Sequence, residues 1–583
     1  MGGFTPTLSS SITHAATPVP PLSGGTLLAL ADGKTVAAAD PERDQVSFVD
    51  FVARKVTAKA TLQPGDEPGR AVEDAAGRVH VALRRGGAVV SIDPTTGAIG
   101  TRRAVCSAPR GIAYDATTDL IHVACAGGEL VSLPAAGGAA TRTLTLDRDL
   151  RDVVVGSGGK LLVSTFRRAD VLVVGADGTV ASRVRPASGM TSSALGQPQM
   201  RSPAVAWRMV PYAGVADNVV MLHQTGVDSV VDPVAGGYGG LKGCGEIAQA
   251  GVSVLAPAAG PTNVAGGFEM VSLAVDVAMA PDGKTIAIAV PGNSDTPNMP
   301  VIVTTDVTMT ASGSPCNGAT TMATSGAQSG VISSSGIEGQ VVAVSYAADG
   351  TLLAQTREPS AVVVVGDPTT VSLATDSRAD SGHDIFHVNA GGGLACASCH
   401  PEGGEDGRVW NFACLGQRRT QSIRGGISQT APFHWDGSEP NFSHLMDDVF
   451  SGRMSGPMLS DAQKMALQSW VDTIPAMPVT AGLDAAAVAR GKTMFTDPTY
   501  ACATCHAGTL LTNNENVDVG TGAAFQVPSL RGVAWRAPYM HTGCATTLAD
   551  RFSGACGGGD KHGATSTLTT AQIGDMVAYL QSL

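Results

Sequence analysis

A related unit returns along roughly the first 380 residues of this chain, and that repetition constrains the fold more than any single motif. Each unit opens on an apolar strand-like run, passes a turn such as Asp-Gly or Gly-Gly, and continues into a second and a third run. Ala88-Val89-Val90-Ser91-Ile92-Asp93, followed by Pro94-Thr95-Thr96-Gly97, is one such strand and turn. Unit starts fall near Leu27, Arg70, Arg110, Arg151, Ala204, Val275 and Val341. The first intervals are about 40 residues, the period of a propeller blade, and later ones stretch to about 70. Glycine-rich insertions around 234–268 and 310–336 account for the stretching, and the turn pairs Asp32-Gly33, Asp282-Gly283 and Asp349-Gly350 recur at similar places. Seven units predict a seven-bladed β-propeller over 1–380, whose radial closure leaves only short, protected strand edges. Two stacked β-domains, or a pair of β-sandwiches, is the competing arrangement.

After about residue 380 the pattern turns helical. Asp461 to Trp470 carries apolar residues three and four apart behind a capping start, and Ala485 to Phe495 and Thr570 to Leu580 read as further helices. Two mainly α-helical lobes are expected, 381–480 and 481–583. Each holds one copy of the same pentapeptide: Cys396-Ala397-Ser398-Cys399-His400 and Cys502-Ala503-Thr504-Cys505-His506. Cys-x-x-Cys-His is the attachment signature of c-type haem. Its thiols bond to the vinyl groups, and its histidine becomes the proximal iron ligand. A single zinc site built from both cysteine pairs would leave the two histidines without a role. The expected cofactors are therefore two covalent haem c groups, held by Cys396, Cys399, Cys502 and Cys505, with His400 and His506 as proximal ligands.

Charge and composition narrow the remaining classes. The net charge of −12, to which haem propionates would add, argues against nucleic-acid partners. No run of eighteen or more apolar residues is present, so no membrane span is expected. Eleven cysteines fit an oxidising compartment. Met1-Gly2-Gly3-Phe4 shows neither the basic nor the apolar part of a signal peptide. Because haem attachment takes place outside the bacterial cytoplasm, a periplasmic or cell-surface location is expected, the export signal having been removed. The cysteines outside the motifs offer the pairs Cys106–Cys125, Cys244–Cys316 and Cys544–Cys556, with Cys414 left over. Spacing alone does not fix that connectivity.

From His383-Asp384-Ile385-Phe386 to the end, about a third of its length, the chain resembles the bacterial dihaem cytochrome c peroxidase superfamily, which includes the MauG-type enzymes. The matching pieces are the two haem motifs, Phe433-His434-Trp435-Asp436-Gly437, Val527-Pro528-Ser529-Leu530-Arg531-Gly532-Val533, and Ala537-Pro538-Tyr539-Met540-His541. The resemblance implies that Trp435 lies between the haems and assists electron transfer. Several departures matter. The family's peroxidases carry a distal histidine after the first motif, whereas Pro401 to Arg424 contains none. The first iron is then open, as in the MauG-type branch, or capped by another residue, with Met454 ahead of His434 and His444. The family's distal glutamate is also not evident, and Asp447 and Asp448 are the nearest carboxylates that could move protons. At the second iron the family's methionine would fall near Ala555. In its stead His562, in the loop Cys556-Gly557-Gly558-Gly559-Asp560-Lys561-His562-Gly563, is the replacement ligand, ahead of Met540 and His541. His/His ligation would lower the potential relative to His/Met. Where the family holds calcium this chain has Arg419 and Arg536, whose guanidinium groups repel a cation and suit haem propionates, so no calcium is expected.

The resemblance implies a dihaem oxidoreductase using hydrogen peroxide, with a small redox protein or an oxidisable protein as partner. A non-enzymatic electron carrier docked through its propeller is the alternative, and a haem sensor with a ligand-binding propeller is a third. The cytochrome cd-type nitrite reductases also join cytochrome c to a propeller. They place one c haem before the propeller, the reverse of the order here.

Overall fold

The computed structural model describes residues 5–192, 198–239, 246–258, 260–268, 271–297, 299–307, 331–333 and 337–583. From Leu27 to Ser372 the chain forms seven antiparallel sheets, taken one after another along the sequence. Six have four strands and the fifth has five. The innermost strands are Leu27–Ala29, Pro68–Glu73, Pro109–Asp115, Leu150–Val155, Pro198–Pro211, Asp276–Met279 and Val341–Tyr346. Each packs against the next, and the last packs against the first, which closes the ring. Gln355 of blade seven staples that closure, donating to the Ala39 carbonyl and accepting from the Thr26 hydroxyl, both on the blade-one side.

The repeat therefore marks blades. Arg70, Arg110, Arg151 and Ala204 lie inside innermost strands, Val275 directly precedes one, and Leu27 and Val341 each open one. Middle strands such as Leu161–Thr165 and Val219–Val227 are buried along their whole length, polar residues such as Ser164 and His223 included. The outer strand Lys55–Thr61 alternates between exposed and covered positions. The Asp-Gly turns share one mechanism. The Asp32 carboxylate accepts the backbone N–H of Lys34 and Thr35, while Gly33 takes φ +72, and Asp282 with Gly283 repeats the arrangement.

The described residues before Leu27 form no strand. They run along the first helical lobe instead: Trp470 Nε1 donates to the Val19 carbonyl at 2.9 Å, Gln463 to that of Ser9, and the Leu22 N–H to His387 Nε2. That lobe is built on two helices. Ser381–His387 stacks His383, Phe386 and His387 around Trp470 of Asp461–Thr473, whose capped start is a capping box of Ser460 with Gln463. In the second lobe Ala485–Thr496 crosses Thr570–Gln581 at Gly491, where a Cβ would meet the Asp575 carbonyl oxygen at 2.0 Å. The expected helices are thus present with nearly the expected bounds. Disulfides join Cys106–Cys125 and Cys544–Cys556, and Cys414 is free and exposed. Cys244 and Cys316 lie outside the described residues. No helix among the described residues is long and apolar enough to cross a membrane.

Candidate haem sites

Each pentapeptide forms a short helix, Cys396–Cys399 and Cys502–Cys505, and each histidine follows directly at its end. His400 Nδ1 lies 3.3 Å from the Gly404 carbonyl and His506 Nδ1 lies 3.1 Å from that of Leu511. A carbonyl only accepts, so both rings are protonated at Nδ1 and leave Nε2 free for a metal. Burial lowers the pKa of both, His506 to about 4, so the imidazoles are neutral as ligation requires. No three of the four motif thiols converge among the described residues, which removes the shared zinc site.

The space above His400 is large. A cavity of about 220 Å³, partly open to solvent, reaches from Cys396, Cys399 and His400 to a wall of Phe433, Phe442, Leu445, Met446, Val449 and Met454. Part of that wall is a π-helical stretch, Met446–Arg453. Wide turns of this kind are frequent at functional sites. Here the stretch turns Met446 and Val449 inward and sends its two acids elsewhere. Asp447 pairs with Lys464 at 2.6 Å and Asp448 with Arg453 at 2.6 Å, and neither lines the cavity. The carboxylates expected to shuttle protons at the first haem are thus spent on ion pairs. Met454 is buried and lines the cavity. His434 lines it too, with Nδ1 directed to the Ser438 hydroxyl, whereas His444 is exposed and bonded to Glu439.

At the lobe boundary Trp435 lines the same cavity and meets the second lobe. Its Nε1 donates to the Arg419 carbonyl at 2.7 Å, its own carbonyl accepts from Gln526, and its ring stands edge-on to His541 at 6.2 Å. His541 in turn stacks on Phe525 at 4.0 Å, so it serves this interface. Arg419 and Arg536 also line the cavity. Buried Arg419 leaves its Nε without a hydrogen-bond partner, and burial lowers the pKa of Arg536. A guanidinium with a spare buried donor suits a haem propionate.

One residue lining this cavity, Tyr238, comes from the propeller, and no sequence motif marks it. After Val227 the fifth blade leaves its sheet. Val231 bridges Phe412 of the hairpin Val409–Phe412 and Gly416–Arg419, and Tyr238 packs on Phe412 with ring centroids 5.8 Å apart. The Tyr238 backbone N–H donates to the Arg453 carbonyl, and its phenol oxygen accepts from Arg453 Nη1 at 2.9 Å. Asp448 therefore fixes Arg453, which fixes Tyr238 at the cavity. The glycine-rich stretch that carries Tyr238 has no periodicity to mark it.

The second site is arranged differently. The His506 and His562 rings face each other with centroids 6.4 Å apart and 38° between their planes. Two imidazoles sharing one metal at about 2 Å from each nitrogen would hold their centroids roughly 6 Å apart. His562 Nδ1 lies 3.1 Å from the Gly557 carbonyl, which again frees Nε2, and burial next to Arg551 lowers its pKa to about 3. The Cys544–Cys556 disulfide ties down the loop that presents it. Met540 packs in the apolar core of this lobe. Among the described residues, His400 has no ring partner comparable to His562.

Residues 488–583 match the cytochrome c family model. The chain is similar to hydrazine synthase subunit gamma of Kuenenia stuttgartiensis, 26% identical over 257 residues, a match spanning 33% of this chain and 72% of that protein. Among solved structures, one Kuenenia stuttgartiensis hydrazine synthase chain covers 63% of this chain and 100% of its own length at 17% identity, with a TM-score of 0.45. Another, from a xenon-pressurised form, covers 32% and 81% at 24% identity, with a TM-score of 0.29. The C-terminal region is a cytochrome c domain that carries covalently bound haem c, behind a seven-bladed propeller. The sequence relationship is to hydrazine synthase and does not single out the peroxidase and MauG branch.

Proposed function

We propose that this protein is an exported dihaem oxidoreductase in which the His400 site is reactive and the His506 site transfers electrons. One observation carries the reading: His506 faces a second imidazole at 6.4 Å, whereas His400 faces a cavity. Haem iron supplies one-electron chemistry and an exchangeable coordination position at the first site. The chain's own residues set the conditions around it. Phe433, Phe442 and Val449 make one wall apolar, Arg419 and Arg536 would hold haem propionates, and Trp435 links the lobes. His506 and His562 would both hold the haem iron at the second site, and such a pair of imidazoles would favour a low-spin, low-potential haem. Tyr238 accepts from Arg453 and keeps its own O–H to donate to a small molecule in the cavity.

Hydrogen peroxide is the proposed oxidant and a small redox protein or an oxidisable protein the partner, as in the peroxidase and MauG group. A second reading replaces peroxide by a small nitrogen compound, by analogy with the hydrazine synthase subunit. The lack of a cavity carboxylate favours it, because Asp447 and Asp448 are engaged elsewhere. Absorption and EPR spectra of the oxidised full-length protein test both. One high-spin and one low-spin ferric signal are expected, with the high-spin signal changed by peroxide or by hydrazine. Two low-spin haems that form no adduct with peroxide, hydrazine or carbon monoxide would leave only the electron carrier.

A further inference from the structure

The arginines that mark the repeat converge at the centre of the ring. Arg70, Arg110 and Arg151 stand near the starts of the innermost strands of blades two, three and four. Arg208 comes from blade five and Asp276 from blade six. One group is balanced: Arg70 and Arg208 share Asp152 at 2.8 and 3.0 Å, with Asp276 3.3 Å from Arg208.

The other group is not balanced. Glu402, two residues after the first haem histidine, enters the end of the ring. It meets Arg110 at 2.5 Å, Arg151 at 2.6 Å and Arg84 at 3.5 Å, and Arg424 donates to its backbone carbonyl. The other carboxylate among the described residues lining this place is Glu67, 3.2 Å from Arg84 and 3.5 Å from Arg85. Around the cavity, Arg84, Arg85, Arg110 and Arg424 thus face two carboxylates, Glu67 and Glu402. The Arg84 side chain is about nine-tenths covered, yet its Nε has no hydrogen-bond partner. Buried charge without a counter-charge is costly. A cavity of about 50 Å³ lies where the surplus is, lined by Arg84, Arg85, Arg110, Arg424, Glu67 and Glu402. It shares no lining residue with the cavity above His400, and a third cavity lined by Arg110, Glu402, Arg424 and Arg536 lies between the two.

We propose that this junction cavity binds one small inorganic oxyanion, of the sulfate or phosphate type. Guanidinium forks match the oxygen spacing of such ions. The protein as a whole is strongly acidic, so the attraction is local to this cavity. The site stands independently of the redox reading.

Calorimetric titration of the full-length haem-loaded protein with sodium sulfate, at constant ionic strength in sodium gluconate, tests it. Saturable binding of one sulfate is expected. Arg84→Gln should weaken it at least tenfold. Glu402→Gln should tighten it severalfold, because it removes the built-in anion. That opposite direction keeps the test decisive if the arginine variant does not fold. The proposal fails if no saturable heat is seen, or if Glu402→Gln leaves the affinity unchanged or weakens it.

Discussion

The two Cys-x-x-Cys-His helices are nearly the same local structure in different surroundings. The first is enclosed by the propeller. Glu402 behind it reaches the arginine cluster, Tyr238 in front of it comes from blade five, and the far wall is apolar. The second lies in a small helical lobe whose own loop brings His562 opposite His506. The attachment motif thus sets where a haem is held, and the residues meeting its open face set what that haem can do. Among the described residues, the propeller side chain that lines a haem cavity, Tyr238, lies at the first site, while Arg148 and Arg167 reach the second lobe only at Ala534 and Ala537.

The largest expected effect tests the enclosure of the first site. Glu402→Gln leaves Arg110 and Arg151 buried without their carboxylate, and should cost about 3–5 kcal/mol of stability in denaturant unfolding. Added sulfate should restore part of the loss. At the second site His562→Ala should convert one of the two haems from low-spin to high-spin, read by EPR. An unchanged low-spin signal would remove His562 as a ligand and the contrast with it.

Acid should loosen the propeller and the first lobe. Burial lowers the pKa of His223 to about 4 and those of His383 and His387 well below the usual value. These rings stay neutral in the folded protein while the unfolded chain takes up protons below about pH 6.5, so stability is lost as pH falls from 6.5 towards 4. Thermal unfolding at pH 7 and pH 5 should show a lower midpoint at pH 5. Tyr238→Phe should weaken adduct formation with peroxide or hydrazine at the first haem by roughly 5–10-fold, the worth of about one hydrogen bond, and leave the second haem's spectrum alone. Smallest of all, Met454→Leu should cost under about 1.5 kcal/mol and leave the first haem high-spin. A change from low-spin to high-spin in that variant would instead make Met454 the cap.

The sequence showed most of what depends on local pattern. Blade starts from Arg70 to Val341, the capped helix Asp461–Thr473, the short-range disulfides and the choice of His562 all rest on neighbouring residues or on a period. What escaped depends on residues far apart in the chain. Arg110 and Glu402 are separated by 292 positions, and Arg453 and Tyr238 by 215. Arg70, Arg110 and Arg151 were visible as repeat markers, but only ring closure shows that their side chains meet. Asp447 and Asp448 looked available for proton transfer because the π-helical stretch that turns them outward has no sequence signal of its own.

The short arm before the propeller has a consequence for how the protein is made. Val19 and Trp470 are hydrogen-bonded across 451 positions, so the propeller is looped out between two pieces of the first lobe. Closing a loop of that size is slow, because the entropy lost must be met before the contact is made. The lobe around the first pentapeptide can therefore finish only after the whole ring has been translated. Cys396 and Cys399 should stay accessible to the haem-attaching machinery for longer than their position in the finished fold suggests.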